Sequence, residues 1–286
     1  MDYKLIVSSD TGEIDFYSDP NIRLISSDGL GFASDITTTK IYGYDGTKFA
    51  GNSLQQRAVS IAARIRSAGR ESAEAAKKRL YTVLARKKAV KIKYAAPNTD
   101  VYIMGYVEQV NAPPNNHPLT AQISIICPEP YWIDARDNTV SIAGMDDTFE
   151  FPIEIPSDGM EFGRIKSSLI AIIENVGTAD SGAVFTITAK TACTNPKITN
   201  IDTGEYMQVN VSMAAGDIIS ICTKQGKKSI FFTHNDVVSN YFNYRSRGSS
   251  FFQIRCGTNR IKYTVDSGDE HSIDVTCSFD IKYGGI

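Results

Sequence analysis

The segment Cys127-Pro-Glu-Pro-Tyr-Trp-Ile133 separates two regions of different character and contains the only tryptophan of the chain. Apolar and polar side chains alternate in the residues before it, which is typical of a half-buried strand. Because Pro128 and Pro130 have no backbone N–H, they end the strand ladder at this point. Together with Trp132, the spaced prolines predict a stiff joint between two domains rather than a flexible linker.

The two predicted domains, residues 1–132 and 133–286, differ in charge and in periodicity. The first holds 16 Lys/Arg and 13 Asp/Glu, whereas the second holds 14 and 19. One helix is predicted, over residues 70–87, where apolar residues recur at helical spacing. A hairpin is predicted over residues 90–110. Residues 35–56 are polar and glycine-bearing, and we expect a long exposed excursion there.

The second domain is predicted to contain only strands, because short β patterns alternate with turn signals throughout it. The predicted strands are 138–142, 148–155, 168–175, 183–189, 205–211, 217–222, 229–233, 250–255, 259–265 and 272–283. This pattern indicates a jelly-roll-like or galectin-like β-sandwich, and it makes the chain as a whole mainly β.

Composition excludes several classes of function. The net charge of −2 gives no overall attraction to nucleic acid or to a membrane surface. The longest aliphatic run, residues 169–173, is too short to cross a bilayer. The five cysteines are widely spaced and odd in number, which favours free thiols and folding in the cytoplasm. We therefore expect no membrane insertion and no sequence-specific binding of nucleic acid.

Catalytic and metal-binding patterns are weak, so we expect no enzyme, no cofactor and no metal site. His117, His234 and His271 lack the spacing of a zinc site. Asp269 and Glu270 precede His271, but a solvated turn explains that trio better than a weak metal site. The acidic residues between 146 and 154 offer a carboxylate pair for a glycoside hydrolase only if the fold brings them together.

Two further surfaces have more than one interpretation. The stretch from Arg57 to Lys93 contains twelve basic residues and two glutamates. It is interpreted as a mostly solvated face, with an acidic partner or the lumen of a ring as alternatives. Aromatic residues are frequent in the second domain, and most are expected in its core. Tyr241 and Tyr244 lie in a loop-like stretch and are the candidates for stacking against a glycan.

Several motifs together resemble those of siphophage-type distal tail proteins. The Cys-Pro-Glu-Pro-Tyr-Trp junction is similar to the D/C-P-x-P-Y-W segment of that family. Downstream similarities follow in the family's order: Glu174-Asn-Val-Gly-Thr-Ala, the stretch from Asn195 to Glu205, Gly216-Asp-Ile-Ile-Ser-Ile and Gly257-Thr-Asn-Arg-Ile-Lys-Tyr. The resemblance extends over residues 57–286. A proline that usually follows the Asn-x-Gly-Thr-Ala segment is replaced here by Asp180-Ser-Gly-Ala-Val.

The resemblance implies a structural protein that forms a homo-hexameric ring at the tip of a phage tail. The first domain, a β-sandwich or split barrel with one helix and a long hairpin, would form the ring. A tail-tube protein would lie above it, and a tail-associated hub, lysin or fibre below it. The second, galectin-like or carbohydrate-module-like domain would face outward and hold a receptor-binding protein or a glycan. The expected location is the virion tail tip, after synthesis and assembly in the host cytoplasm.

The resemblance also suggests where contacts lie. Subunits of a cyclic ring meet through two different patches, and Tyr42, Tyr44, Tyr102 and Tyr106 are the candidates for them. Pro128, Pro130, Tyr131 and Trp132 are assigned to the domain joint. The alternative to a tail adaptor is a carbohydrate-binding protein that attaches to cell-surface glycan through Tyr241 and Tyr244.

Overall fold

A computed structural model describes residues 3–66, 70–113, 119–136, 138–143, 145–146, 164–165, 170–268 and 272–286. Over these residues the protein is mainly β, as the sequence predicts, with one α-helix and one 3-10 helix. Contacts between Cα atoms divide the chain into two compact units. The first comprises Met1–Arg136 and Lys282–Ile286, and the second comprises Asp137–Ile281.

The elements are numbered in chain order. They are β1 (Lys4–Ser9), β2 (Gly12–Asp15), β3 (Ile22–Asp28), β4 (Ser34–Thr39), β5 (Lys48–Leu54), β6 (Arg57–Ile65), α1 (Arg70–Val83), β7 (Ala89–Ala96), β8 (Thr99–Asn111), β9 (Thr120–Cys127), β10 (Trp132–Asp134), β11 (Thr139–Ala143), β12 (Met145–Asp146), β13 (Arg164–Ile165), β14 (Ile170–Asn175), β15 (Ala183–Ala189), β16 (Cys193–Thr194), β17 (Lys197–Asn200), β18 (Tyr206–Gln208), β19 (Ser212–Met213), β20 (Ile218–Cys222), β21 (Ser229–His234), β22 (Val237–Asn240), a 3-10 helix (Phe242–Tyr244), β23 (Gly257–Thr264), β24 (Ile273–Phe279) and β25 (Lys282–Tyr283).

The first unit is built on one large antiparallel sheet in the order β2-β1-β7-β8-β9-β6-β3, to which β10 and β25 are added. Its strands alternate regularly: β6 buries every second residue from Arg57 to Ile65. The buried side chains form one apolar core, against which α1 places Ala76, Leu80 and Val83. Strand β9, the neighbour of β6, alternates in the same way, so the alternation that predicted β9 reports a true division between core and surface.

The helix is shorter than the sequence predicts. It ends at Val83 rather than at residue 87. Lys87 has a φ of 68°, a left-handed conformation that cannot continue a right-handed helix. The chain uses this turn to enter β7, whose pairing with β8 confirms the predicted hairpin.

The segment that follows β9 is a large bulge within the first unit. β8 pairs with β9 from Tyr106 onward and with β10 at Val101 and Tyr102. Cys127–Trp132 therefore lie opposite Ile103–Gly105, so six residues on one strand face three on the other. The two prolines interrupt the ladder as expected, but β8 pairs with the chain again, in β10, immediately after them.

The last strand of the chain also belongs to the first unit. Within β25, Lys282 and Tyr283 pair with Ile133 and Trp132 of β10. The sequence predicts one continuous strand over residues 272–283, whereas β24 ends at Phe279 in the second unit. The contacts thus divide the chain differently from the predicted domains 1–132 and 133–286.

The second unit contains two main antiparallel sheets, β11-β24-β15-β20-β21-β22 and β14-β23-β17-β18. Strand β15 illustrates the alternation: Ala183, Phe185, Ile187 and Ala189 are buried, and the residues between them are half-buried. The fold agrees with the predicted β-sandwich. The predicted strand 250–255 does not form: Ile254 makes an isolated bridge, while Phe252 packs 5.5 Å from Phe185 between ring centroids.

Some predictions lie outside the described residues. These are the strand at 148–155, His117, His271 with its acidic neighbours, and the acidic residues 147, 150 and 154. No helix among the described residues is long and apolar enough to cross a membrane.

Candidate assembly surfaces

A buried arginine at the start of β6 organises one end of the first unit. The side chain of Arg57 lies within hydrogen-bonding distance of five backbone carbonyls, those of Gly29, Leu30, Gly31, Pro130 and Gly284. Arg57 is only 5% exposed. Its guanidinium, a rigid fork with five N–H groups, suits such a set of acceptors better than an ammonium would. We refer to this group as the carbonyl cluster.

The electrostatics of the carbonyl cluster follow from burial. Desolvation lowers the pKa of Arg57, although a guanidinium stays protonated in proteins. Cys127, its partner in the β6–β9 register, is buried as well. Burial raises the pKa of this thiol to about 11, so Cys127 is neutral at physiological pH and acts as an apolar core residue.

The four residues assigned to the joint all lie in the first unit. Trp132 is fully buried in its core, and its indole N–H donates to the carbonyl of Leu30 at 3.2 Å. Tyr131 is half-buried beneath the ammonium of Lys282, 5.6 Å from the ring centroid. Pro130 accepts from Arg57, and Pro128 is exposed. Their role as a joint stays a prediction.

The carbonyl cluster includes the base of a projecting hairpin. At Gly29, φ is 81°, and a Cβ atom would lie 1.9 Å from the carbonyl oxygen of Ala58. Only glycine fits this crossing. The chain then continues into β4, which pairs with β5 as a separate two-stranded sheet. We call residues 34–54 the arm.

The arm exposes apolar side chains to an unusual degree. Ile36, Ile41 and Phe49 are 64%, 47% and 61% exposed, Tyr44 is 71% exposed, and Tyr42 is completely exposed. The sequence predicts an exposed segment at this position, and Tyr42 and Tyr44 are candidates for contacts between subunits. It does not predict the hairpin or its aliphatic residues. The signal lay in the single apolar residues spaced through an otherwise polar stretch.

A second surface lies on the outer face of the large sheet. Tyr102, Met104 and Tyr106 are alternate residues of β8 and therefore point to the same side. Met104 and Tyr106 are 43% and 51% exposed. Tyr102 is half-buried, with the ammonium of Lys91 4.0 Å from its ring centroid. We call this surface the β8 face. It brings together two of the tyrosines that the sequence singled out.

The two tyrosines proposed for glycan contact lie in the second unit and stack on each other. Their ring centroids are 4.4 Å apart, so each ring covers one face of the other. Tyr241 also contacts Phe232 at 4.8 Å. Tyr244 is 53% exposed and Tyr241 is half-buried. One open ring face remains, on Tyr244, and the glycan role stays a prediction.

The described residues contain no cluster of three or more His, Cys, Asp or Glu that could hold a metal ion. His234, at the end of β21, contacts the carboxylate of Asp217 at 2.7 Å.

Two known protein families match the chain, one in each half of the sequence. Residues 9–127 match the phage tail protein RIFT-related domain. Residues 176–283 match the C-terminal domain of the siphovirus-type tail component. No curated protein matches the chain significantly.

Solved structures show the same fold. The crystal structure of SPP1 Dit (gp 19.1), described as a paradigm of the hub adsorption apparatus of phages that infect Gram-positive bacteria, has a TM-score of 0.70 at 14% identity, over 97% of this chain and 98% of that one. A chain of the phage P2 baseplate in its activated conformation with Ca has a TM-score of 0.58 at 12% identity, over all of both chains. The form with Sr gives 0.58 at 11%.

The two family matches lie one in each predicted domain, in the order of the sequence, and the fold extends the similarity over almost the whole chain. The protein belongs to the siphophage-type distal tail protein family, whose members are structural components of phage tails.

Proposed function

We propose that the protein forms a homo-hexameric ring that joins the tail tube to the tail-tip hub and the receptor-binding apparatus. The observation that carries this proposal is the arm, a hairpin outside the main sheet whose apolar side chains are mostly exposed. Surfaces of this kind mark sites of protein association in soluble proteins. The protein would act through shape and contact area rather than through catalysis.

The two surfaces of the first unit suit a ring. In cyclic assemblies each subunit presents one patch that contacts a different patch on its neighbour. We propose that the arm of one subunit contacts the β8 face of the next. Ile36 and Phe49 would bury apolar area against Met104 and the two tyrosines beside it. Obligate interfaces of this type bury on the order of 2,000 Å² or more.

The remaining parts of the proposal concern neighbours in the particle. The tail-tube protein would lie on one side of the ring, and the hub, lysin or fibre on the other. Pro128, Pro130, Tyr131 and Trp132 would keep the chain that leads to the second unit in a fixed path. The second unit would hold a receptor-binding protein or a glycan. The protein would be made and assembled in the host cytoplasm before it reaches the virion tail tip.

Mass measurement and negative-stain microscopy test the ring directly. The wild-type protein is expected to form six-fold rings at high concentration. Phe49→Asp places a charge in the proposed contact, so it should shift the protein to monomers at the same concentration. Ile172→Asp is the matched control, because Ile172 is 69% exposed in the second unit and should leave the ring unchanged.

The proposal fails if the wild-type protein remains a monomer at every salt and protein concentration. If both Phe49→Asp and Ile36→Asp still form rings, the proposed function stands, but the arm does not belong to the interface between subunits. Circular dichroism of each variant distinguishes lost assembly from lost folding.

A further inference from the structure

The second unit carries an aromatic and basic surface on the β21–β22 hairpin and the 3-10 helix after it. We call this surface the hairpin patch. Its exposed residues are Lys227, Lys228, Val237, Phe242, Tyr244, Arg245 and Arg247. Neither the ring nor the glycan hypothesis accounts for most of them.

The aromatic and cationic groups of the hairpin patch are ordered by mutual contact. Phe242 and Phe251 stack at 5.5 Å. The guanidinium of Arg245 lies 5.8 Å from the first ring and 5.5 Å from the second. The ammonium of Lys228 also lies 5.5 Å from the centroid of the Phe251 ring. Such contacts hold long cations in place before a partner arrives, which reduces the entropy lost on binding.

The charge of the hairpin patch differs from that of its surroundings. Residues 227–251 contain four Lys/Arg and a single acidic residue, Asp236, whereas residues 133–286 as a whole contain 14 basic and 19 acidic residues. Lys227, Lys228, Arg245 and Arg247 form no ion pair within the described part of the chain. A cationic spot on an acidic unit is electrostatically complementary to an acidic partner.

Apolar area lies beside these charges. Strand β22 is the end strand of its sheet among the described residues, and Val237 on it is 64% exposed. Val237 is opposite His234 in the register, so it lies on the same face as Phe232, whose ring centroid is 4.8 Å from that of Tyr241 beside the 3-10 helix. Phe231 and Val238 point to the opposite face. Aromatic and aliphatic anchors bordered by arginines are the typical composition of protein-binding sites.

The arrangement fits a protein better than a sugar. Glycan binding needs open ring faces, but Tyr241 and Tyr244 cover each other. The rings of Phe242 and Phe251 are likewise stacked and covered by Arg245. The exposed Val237 offers apolar contact without a flat platform.

We propose that the hairpin patch docks an acidic segment of another protein. Carboxylates of that segment would contact Arg245 and Arg247, and its apolar side chains would pack on Val237, Phe242 and Tyr244. This inference rests on the proposed function, because it supplies the surface through which the second unit would hold another tail protein.

Selection from a random library of peptides displayed for binding to the full-length protein tests this proposal. The double variant Arg245→Glu/Arg247→Glu serves as the counter-selection. Enriched peptides are expected to combine Asp or Glu with aromatic or aliphatic residues. A synthetic copy of the strongest one should bind the wild type at least tenfold more tightly than the double variant, and binding should weaken as salt rises.

Two further variants separate local effects from general ones. Val237→Ser removes an apolar anchor without touching the arginines and should also weaken binding of the peptide. Lys262→Glu reverses one positive charge on β23, away from the hairpin patch, and should leave binding unchanged. Enrichment of neutral or basic peptides, no enrichment, or equal binding by the double variant would overturn the proposal.

Two more measurements keep this result distinct from neighbouring hypotheses. Heparin provides an anionic polysaccharide: if it binds at the hairpin patch and no peptide does, the protein partner is wrong. Ring assembly of Arg245→Glu/Arg247→Glu is measured by mass, and it should equal that of the wild type. If the double variant loses peptide binding but still forms rings, the result supports the docking surface independently of the ring. If the wild type forms no rings, the result contradicts only the proposed function.

Discussion

The guanidinium of Arg57 lies 5.7 Å from the ring centroid of Trp132, and both side chains are buried in the first unit. Arg57 also donates to Pro130, just before Trp132, and to Gly284 near the other end of the chain. Three segments that are distant in sequence therefore meet at one cation. This relationship fixes the base of the arm, the proline bulge and the last strand together.

Replacing Arg57 by lysine should destabilise the first unit by about 2–3 kcal/mol, because an ammonium leaves several of the five carbonyls without a donor. Hydrogen exchange should rise in residues 29–31, at the base of the arm. Denaturant unfolding and exchange measured by mass spectrometry check both effects. Arg64→Lys, at an exposed position of the same strand, should change neither.

Removal of residues 282–286 should also weaken the first unit, although these residues follow the whole second unit. It deletes the pairing of β25 with β10 and the acceptor at Gly284. The loss of one hydrogen bond to a charged group alone is worth roughly 1.5–3 kcal/mol. An unchanged unfolding midpoint of the first unit would contradict the role assigned to this strand.

Because Trp132 is fully buried, its substitution should destabilise the first unit. Trp132→Ala should cost about 3–5 kcal/mol through the cavity that it leaves. Since the chain has no other tryptophan, fluorescence of the wild type reports unfolding of the first unit specifically. Its emission should shift to longer wavelength in the same transition that Arg57→Lys displaces. If Arg57→Lys leaves the midpoint of the fluorescence transition unchanged, Arg57 and Trp132 do not belong to one cooperatively folded structure.

Asp134 should make the first unit sensitive to acid. Arg136 donates to its carboxylate at 2.7 Å, and this contact holds the pKa of Asp134 below its ordinary value of 3.8. A carboxylate with a lowered pKa in the folded state stabilises the fold fully above its ordinary value, and this contribution is lost as pH falls through the lowered pKa. Asp134→Asn should therefore reduce the free energy of unfolding at pH 7.

The same variant should approach the wild type in stability as the pH falls below the ordinary pKa of the carboxyl group. Urea unfolding at a series of pH values measures this convergence. Glu129→Gln, at an exposed position in the proline bulge, is the control and should follow the wild type throughout. A difference that stays constant with pH would show that Asp134 acts through shape rather than charge.

The five free cysteines should react at different rates. Cys256 is exposed, whereas Cys127, Cys193 and Cys277 are buried. Burial raises the pKa of the Cys277 thiol to about 12, and that of Cys256 is raised as well. Iodoacetamide should modify Cys256 first in the native protein, faster as pH rises, because the thiolate is the nucleophile. Peptide mapping identifies the modified residue.

Much of the first unit was predictable where the chain forms regular, locally paired elements. The alternation in β6 and β9, the β7–β8 hairpin and the presence of α1 all depend on residues close in sequence. Strands β2 and β3 were not predicted: β2 has only four residues, and both strands lie among Asp and Gly residues that also favour turns. The arm was expected to be exposed, but its hairpin register depends on a bulge opposite Thr37 and Thr38 that no local pattern announces.

The sequence by itself determined that the chain is mainly β, that a proline-interrupted segment precedes its second half, and that its motifs are those of a phage tail protein. The β character can be read from side-chain alternation, because the alternation is set by the two faces of each strand. Only the tertiary structure decided that Trp132 is a core residue, that β25 returns to the first unit and that Arg57 joins three segments. Those features depend on contacts between residues far apart in the chain, and local periodicity does not encode them.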